Sequence, residues 1–288
     1  MIRGQKEVRE SDMADSFPVQ NSRREGLVLM GKAEERRGFV MVVIYFSGTG
    51  NSEYISRQFA ERMGAKCHSI EEDVDFERLL SEADILAVCY PIYGSLVPRI
   101  MREFAEKYKN MIKEKELIIF CTQMMFSGDG ARAFARLIPG CEKNVIYAEH
   151  FCMPNNICNF FLFPIRERER SRKKRAADRK LEKVCRDIRR GISKKRGWSS
   201  FSAFLGRMQN TSFPGIEEKG RSSFAADRDC TGCGLCVKRC PMQNLEFVGG
   251  RVRQRDNCTL CYRCVNLCPR KAAVVLFHKK PKRQYRGM

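Results

Sequence analysis

The sequence predicts an α/β chain: a doubly wound parallel sheet of five strands with helices on both faces, then a small α+β domain organised by cysteine. Three observations carry this expectation. Short apolar runs alternate with amphipathic segments of helical period through residues 40–148. A Gly/Ser-rich turn follows the first of those runs. Near the C-terminus a four-cysteine motif occurs twice, each cysteine repeating 28 residues later.

Length and composition set the frame. The chain has 288 residues, room for two domains of roughly 150 residues each. Hydrophobic residues make up 43% and charged residues 31%, the balance of a soluble globular protein with a real core. The longest apolar runs, 39–46, 85–92 and 157–165, fall well short of the roughly 18 residues a membrane span needs. No apolar stretch of a secretory signal opens the chain. An integral membrane protein is therefore not expected.

The elements follow in order. Residues 1–38 are polar and charged without sustained periodicity and are expected to be disordered. Met41 stands at the first regular element, so a misassigned start would account for this extension. Residues 40–46 are β-branched and aromatic and predict a buried strand. A helix is expected over 52–63, a short strand over 66–70, a helix over 75–81 and a buried strand over 85–90. A helix over 99–110, a strand over 117–121, a helix over 131–137 and a strand over 144–148 complete the alternation. The α/β domain is bounded at 39–196. Residues 197–222, rich in Ser, Gly and Phe without clear period, read as a linker. Residues 223–278 form the cysteine domain, and 279–288 a basic tail.

Charge is concentrated. The net charge is +20, and residues 166–196 hold 16 Lys/Arg against 5 Asp/Glu. Five more basic residues and no acidic ones lie in 279–286. Within the first stretch Ala177, Leu181, Val184, Cys185, Ile188 and Ile192 recur at helical spacing, one apolar stripe on an amphipathic helix. The basic residues then occupy its solvated faces, and the terminal ones a frayed tail. No nucleic-acid motif accompanies them, so a nucleic-acid partner is not expected. An acidic redox partner or an anionic membrane surface is the alternative use of the charge.

The turn after the first strand reads Ser47-Gly48-Thr49-Gly50-Asn51-Ser52. Two glycines let backbone N–H groups approach an anion, and the helix N-terminus adds partial positive charge. Ser47, Thr49 and Ser52 each supply a hydroxyl, and no Lys or Arg lies in the loop. It matches neither a Walker A loop nor Gly-x-Gly-x-x-Gly, and suits a terminal phosphate monoester. An ordinary tight turn is the competing reading. This loop resembles the flavodoxin motif Ser/Thr-x-Thr-Gly-x-Thr that holds the phosphate of FMN, with Ser52 in place of the last threonine. The resemblance implies that Pro91, Ile92, Tyr93 and Gly94 after the third strand, and Thr122 and Gln123 after the fourth, bind the flavin ring. The segment 126–130 is implied beside them.

The motif Cys230-x2-Cys233-x2-Cys236-x3-Cys240-Pro241 recurs as Cys258-x2-Cys261-x2-Cys264-x3-Cys268-Pro269. Zinc is the competing reading of paired Cys-x2-Cys. Three thiols at three-residue intervals, then a fourth before proline, form the bacterial [4Fe–4S] run, whose fourth cysteine serves the other cluster. The expected sets are Cys230, Cys233, Cys236 and Cys268 for one cluster, and Cys258, Cys261, Cys264 and Cys240 for the other. Residues 245–248 and 251–253 flank Gly249-Gly250 as a hairpin. The other seven of the 15 cysteines are scattered, which suits a reducing cytoplasm rather than a disulfide framework.

Together these motifs resemble the flavodoxin–ferredoxin fusion proteins of anaerobic bacteria over roughly 41–277, including Glu149-His150-Phe151-x-Met153-Pro154-Asn155-Asn156. The resemblance implies an electron-transfer protein with an FMN and two [4Fe–4S] clusters and an unidentified redox partner. A flavin-dependent reductase of a small substrate is the alternative, and a nucleic-acid-binding redox sensor a third. His68, His150 and His278 are far apart in sequence and form no catalytic constellation; His150 is expected in a loop.

Overall fold

The computed structural model describes residues 39–159, 166–211 and 213–288. The expectation of disorder for 1–38 lies outside them. The first half alternates as β1 (Met41–Tyr45), α1 (Asn51–Met63), β2 (Lys66–Ser69), α2 (Phe76–Glu82), β3 (Ile85–Pro91), α3 (Arg99–Lys107), α4 (Lys109–Lys113), β4 (Glu116–Gln123), α5 (Gly130–Leu137) and β5 (Val145–Cys152). The strands are parallel in the order β2-β1-β3-β4-β5, with the switch of direction between β1 and β3.

Alternation along β1 shows how this sequence makes that sheet. Val42 and Ile44 face a core shared with α2 to α5, through Leu80, Met101 and Phe134. Met41, Val43 and Tyr45 face the opposite core, through Ile55 and Phe59 of α1. A strand buried on both faces has no polar positions to spare, which is why it reads as a continuous apolar run. The basic segment is α6 (Glu167–Arg189). Its stripe Ala177, Leu181, Val184, Cys185 and Ile188 is buried against this second core, while Ile192 lies past the helix end and is exposed.

The sheet has six strands, not five. After α6 the chain returns as β6 (Lys194–Lys195), pairing with Tyr147 and Ala148 of β5. Two lysines carry no strand signal in sequence, but charged residues are what an exposed sheet edge tolerates. The Lys194 ammonium also lies 3.1 Å from a carboxylate oxygen of Glu149, which is buried in β5.

The stretch expected as a linker folds as α7 (Ser200–Asn210) and α8 (Phe213–Arg221). The Ser199 hydroxyl caps α7 by accepting from the Ser202 N–H. The inward face of α7 is made of small residues: the backbone of Ser202 and Gly206 lies against Gly128. Its large apolar residues Phe201, Phe204 and Met208 point outward, so the hydrophobic pattern did not mark the packed face.

The cysteine region follows as β7 (Ala225–Ala226), α9 (Leu235–Lys238), the hairpin β8 (Leu245–Val248) with β9 (Arg251–Gln254), α10 (Arg263–Leu267) and β10 (Ala273–Val274), which pairs with β7. Phe224, Leu245, Leu260, Tyr262, Val265 and Val275 form its small core, with the motif cysteines packed around them. The basic tail is not frayed. Tyr285 is buried, its N–H donating to Asn266 Oδ1 (2.7 Å) and its hydroxyl to Asn51 Oδ1 (2.5 Å).

Candidate functional site

The loops after β1, β3 and β4 lie at the carboxyl ends of their strands, where ligands of doubly wound sheets bind. They meet around one cavity of about 270 Å³. Ser47, Gly48, Thr49, Asn51 and Ser52 line it with Pro91, Ile92, Tyr93, Gly94, Thr122 and Gln123. Gly50 faces away, into a larger open cavity of about 860 Å³ behind the loop, which Arg57, Arg239, Arg263 and Arg286 also border. Segment 126–130 is not among the lining residues. Gly128 abuts α7 instead, and the buried Asp129 carboxylate pairs with Arg136.

Hydrogen bonds hold the first loop in shape. The Gly50 N–H donates to Ser47 Oγ (3.0 Å), and the hydroxyls of Ser52 and Thr122 bond at 2.8 Å, tying the start of α1 to β4. Asn156 Nδ2 donates to Thr49 Oγ1 (2.9 Å) and Asn51 Nδ2 to the Pro154 carbonyl (3.0 Å). Those two asparagines bring the segment after β5 into the wall.

The C-terminal part of the chain adds Phe213 and Ile216 of α8, Leu260 and Tyr262 on either side of Cys261, and Leu276 and Phe277 after β10. This docking is specific. The Arg263 guanidinium donates to the carbonyls of Ser47 (2.8 Å) and Gly48 (3.1 Å) and pairs with Glu71. The Arg99 guanidinium donates to the Asn257 carbonyl at 2.7 Å, and Asn266 Nδ2 to the Asn156 carbonyl at 2.8 Å. A Cβ at position 48 would stand 2.4 Å from the Cys261 carbonyl oxygen. Glycine there is required by the docked cysteine loop as well as by any anion.

Two buried hydroxyls in this cavity wall, those of Tyr93 and Tyr262, have no hydrogen-bond partner among the described residues. Burial, reinforced by the neighbouring Cys261, pushes the Tyr93 phenol well above its ordinary range. A buried hydroxyl without a partner is costly, so a guest with polar atoms fits this space. His150 sits in β5, not in a loop, with Nε2 accepting the Ala131 N–H at 3.2 Å. Burial, with Arg196 adding, lowers its pKa to about 4, so the ring is neutral.

The eight motif cysteines divide between two small cavities. One is lined by Cys240, Cys258, Cys261 and Cys264, the other by Cys230, Cys233, Cys236 and Cys268. In each, three thiols come from one motif and the fourth from the other. Among the described residues no His, Cys, Asp or Glu group is arranged to hold a single metal ion. Four sulfurs lining a cavity suit a cube of iron and sulfide better than one tetrahedral ion.

A flavodoxin-domain family profile matches residues 42–153, and a 4Fe-4S dicluster domain profile matches residues 229–272. A ferredoxin of Methanothermococcus thermolithotrophicus is 42% identical over 58 residues, covering 18% of this chain and 97% of that protein. The chain is a flavodoxin domain fused to a 4Fe–4S ferredoxin domain. Among solved structures, the Megasphaera elsdenii flavodoxin in its two-electron reduced form is 22% identical, covering 49% of this chain and 99% of its own, with a TM-score of 0.34. A flavodoxin from the domain Archaea is 15% identical over 51% of this chain and 99% of its own, with a TM-score of 0.32. The flavodoxin domain points to FMN, and the ferredoxin domain to iron–sulfur clusters.

The residues that sequence reasoning missed are those the ferredoxin domain adds to the cavity, above all Leu260 and Tyr262. Their signal was present in the repeat. Offset by 28, they stand where the first motif has Gly232 and Gly234.

Proposed function

We propose that this protein relays electrons between an FMN in the cavity at the ends of β1, β3 and β4 and two [4Fe–4S] clusters. Cys240, Cys258, Cys261 and Cys264 hold the nearer cluster, and Cys230, Cys233, Cys236 and Cys268 the farther one. The single observation that carries this reading is the shared wall: Tyr262 lines both the flavin cavity and the nearer cysteine cavity. When bound, a flavin exchanges one or two electrons and so couples two-electron donors to one-electron clusters.

The chain's own residues have distinct tasks in this scheme. The loop from Ser47 to Ser52 offers backbone N–H groups and hydroxyls to the phosphate. Pro91, Ile92, Tyr93 and Gly94, with Thr122 and Gln123, form the ring site. Arg263 holds the cysteine loop against the phosphate loop, which keeps the two redox sites adjacent. The farther cysteine set, in which Cys230 and Cys233 are exposed, faces solvent and so a redox partner.

Anaerobic reconstitution of the full chain with iron, sulfide and FMN tests the reading. About eight irons and one FMN per chain are expected, with cluster bleaching after the flavin is photoreduced. A chain that binds its irons without FMN, or binds both with no electron passing between them, overturns it.

A further inference from the structure

We infer that Tyr262 is the contact between the ferredoxin domain and the flavin, its hydroxyl donating a hydrogen bond to the isoalloxazine and its ring bridging to the nearer cluster. This deepens the relay proposed above and rests on it.

Gly232 and Gly234 have φ of +68° and +70°, and their counterparts Leu260 and Tyr262 have +57° and +60°. All four occupy the left-handed region, where a side chain costs about 1–2 kcal/mol. Glycine is the residue such positions favour, and the first motif uses it at both. The second motif carries two large side chains there instead. Strain of this kind persists where the surroundings over-determine it, and it clusters at functional sites.

Those two residues line the cavity at the ends of β1, β3 and β4, as do Leu276 and Phe277 after β10. Tyr262 is 4% exposed and lies in sequence between the ligand candidates Cys261 and Cys264. Its hydroxyl is among the buried groups with no hydrogen-bond partner among the described residues. Packing alone would be served by phenylalanine, with no orphaned polar atom. A ring nitrogen or carbonyl of a flavin supplies the missing acceptor. The proposed step moves one electron: the flavin is oxidised by one equivalent, the cluster is reduced by one, and no proton crosses Tyr262. Transfer rates fall steeply with the gap between centres, and an aromatic ring on the ligand-bearing loop narrows it.

Two variants of the reconstituted full chain test this. Tyr262→Phe keeps the ring and removes the donor, and the FMN dissociation constant, read by flavin fluorescence, is expected to rise about 3- to 10-fold. Tyr262→Leu removes the ring, and flavin-to-cluster transfer after flash photoreduction with a deazaflavin is expected to slow at least tenfold, as an order of magnitude. Unchanged FMN affinity in the first, or unchanged transfer in the second with both cofactors bound, overturns the inference. If the natural chain binds both cofactors yet passes no electron, the relay fails, and the affinity of Tyr262→Phe still decides the contact on its own.

Discussion

The two halves of the cysteine repeat have the same spacing and opposite surroundings. In the half containing Cys258, Cys261 is buried and packs into the core beneath the flavodoxin sheet. In the half containing Cys230, Cys230 and Cys233 are exposed. At the position after the second cysteine plus two, the buried half has Arg263, bonded to the phosphate loop, and the exposed half has Leu235. The difference teaches that a symmetric cofactor motif acquires direction from the side chains between its ligands. One half is shaped to face the cavity at the ends of β1, β3 and β4, the other to face solvent.

The largest expected effect breaks the halves apart at their ligands. Cys264→Ala should lose about half the iron and weaken FMN binding more than tenfold, because the loop carrying Tyr262 depends on that cluster. Cys233→Ala should lose about the same iron and leave FMN affinity within about twofold. Iron analysis and flavin fluorescence on the two variants decide it, and equal FMN loss in both would erase the distinction.

Next comes the docking arginine. Arg263→Ala leaves three carbonyls, those of Ser47, Gly48 and Arg239, and Glu71 without their donor, at a cost of about 3 kcal/mol in denaturant unfolding. Its counterpart Leu235→Ala, in the half-buried wall of the outer cavity, should cost about 1 kcal/mol. A glycine pair sharpens the same contrast. Gly48→Ala forces the Cys261 carbonyl to move and should cost about 2 kcal/mol. Gly234→Ala meets nothing within 4 Å and should cost only its left-handed backbone, about 1 kcal/mol.

The smallest effect tests the scaffold that both halves lean on. The folded His150 pKa, about 4, lies below its ordinary 6.5. As pH falls below 6.5 the unfolded chain takes up a proton that the buried ring refuses, so stability drops until about pH 4. Between about pH 7.5 and about pH 5.5 this amounts to about 1 kcal/mol. His150→Asn should lose that slope in urea unfolding monitored by far-UV circular dichroism, and an unaltered slope would assign it to other groups.

Much of this was legible from the residues. Strands buried on both faces announce themselves, as β1 and β3 do, because every position is apolar. The Gly/Ser turn after β1 and the cysteine spacing are local patterns tied to backbone chemistry, and the loops after β1, β3 and β4 converge on one cavity as their strand-end positions require. What stayed hidden depends on surfaces meeting. The α7 helix packs through Gly206 and shows its phenylalanines to solvent, so hydrophobic periodicity misleads. The β6 edge is two lysines, drawn in by pairing and a buried glutamate. Tyr285 looked like part of a charged tail because its partners, Asn51 and Asn266, are remote in sequence. The roles of Leu260 and Tyr262 needed the docked arrangement, although their departure from the glycines of the first motif was already readable.

The cavity at the ends of β1, β3 and β4 draws its walls from both domains, and that has a thermodynamic consequence. Whatever occupies the cavity stabilises the docked pair over the separated one. Linkage is reciprocal, so if loading the clusters tightens FMN binding by some factor, FMN tightens cluster retention by the same factor. Each cofactor is then a measure of the other's occupancy, and a chain stripped of one is a poorer host for both.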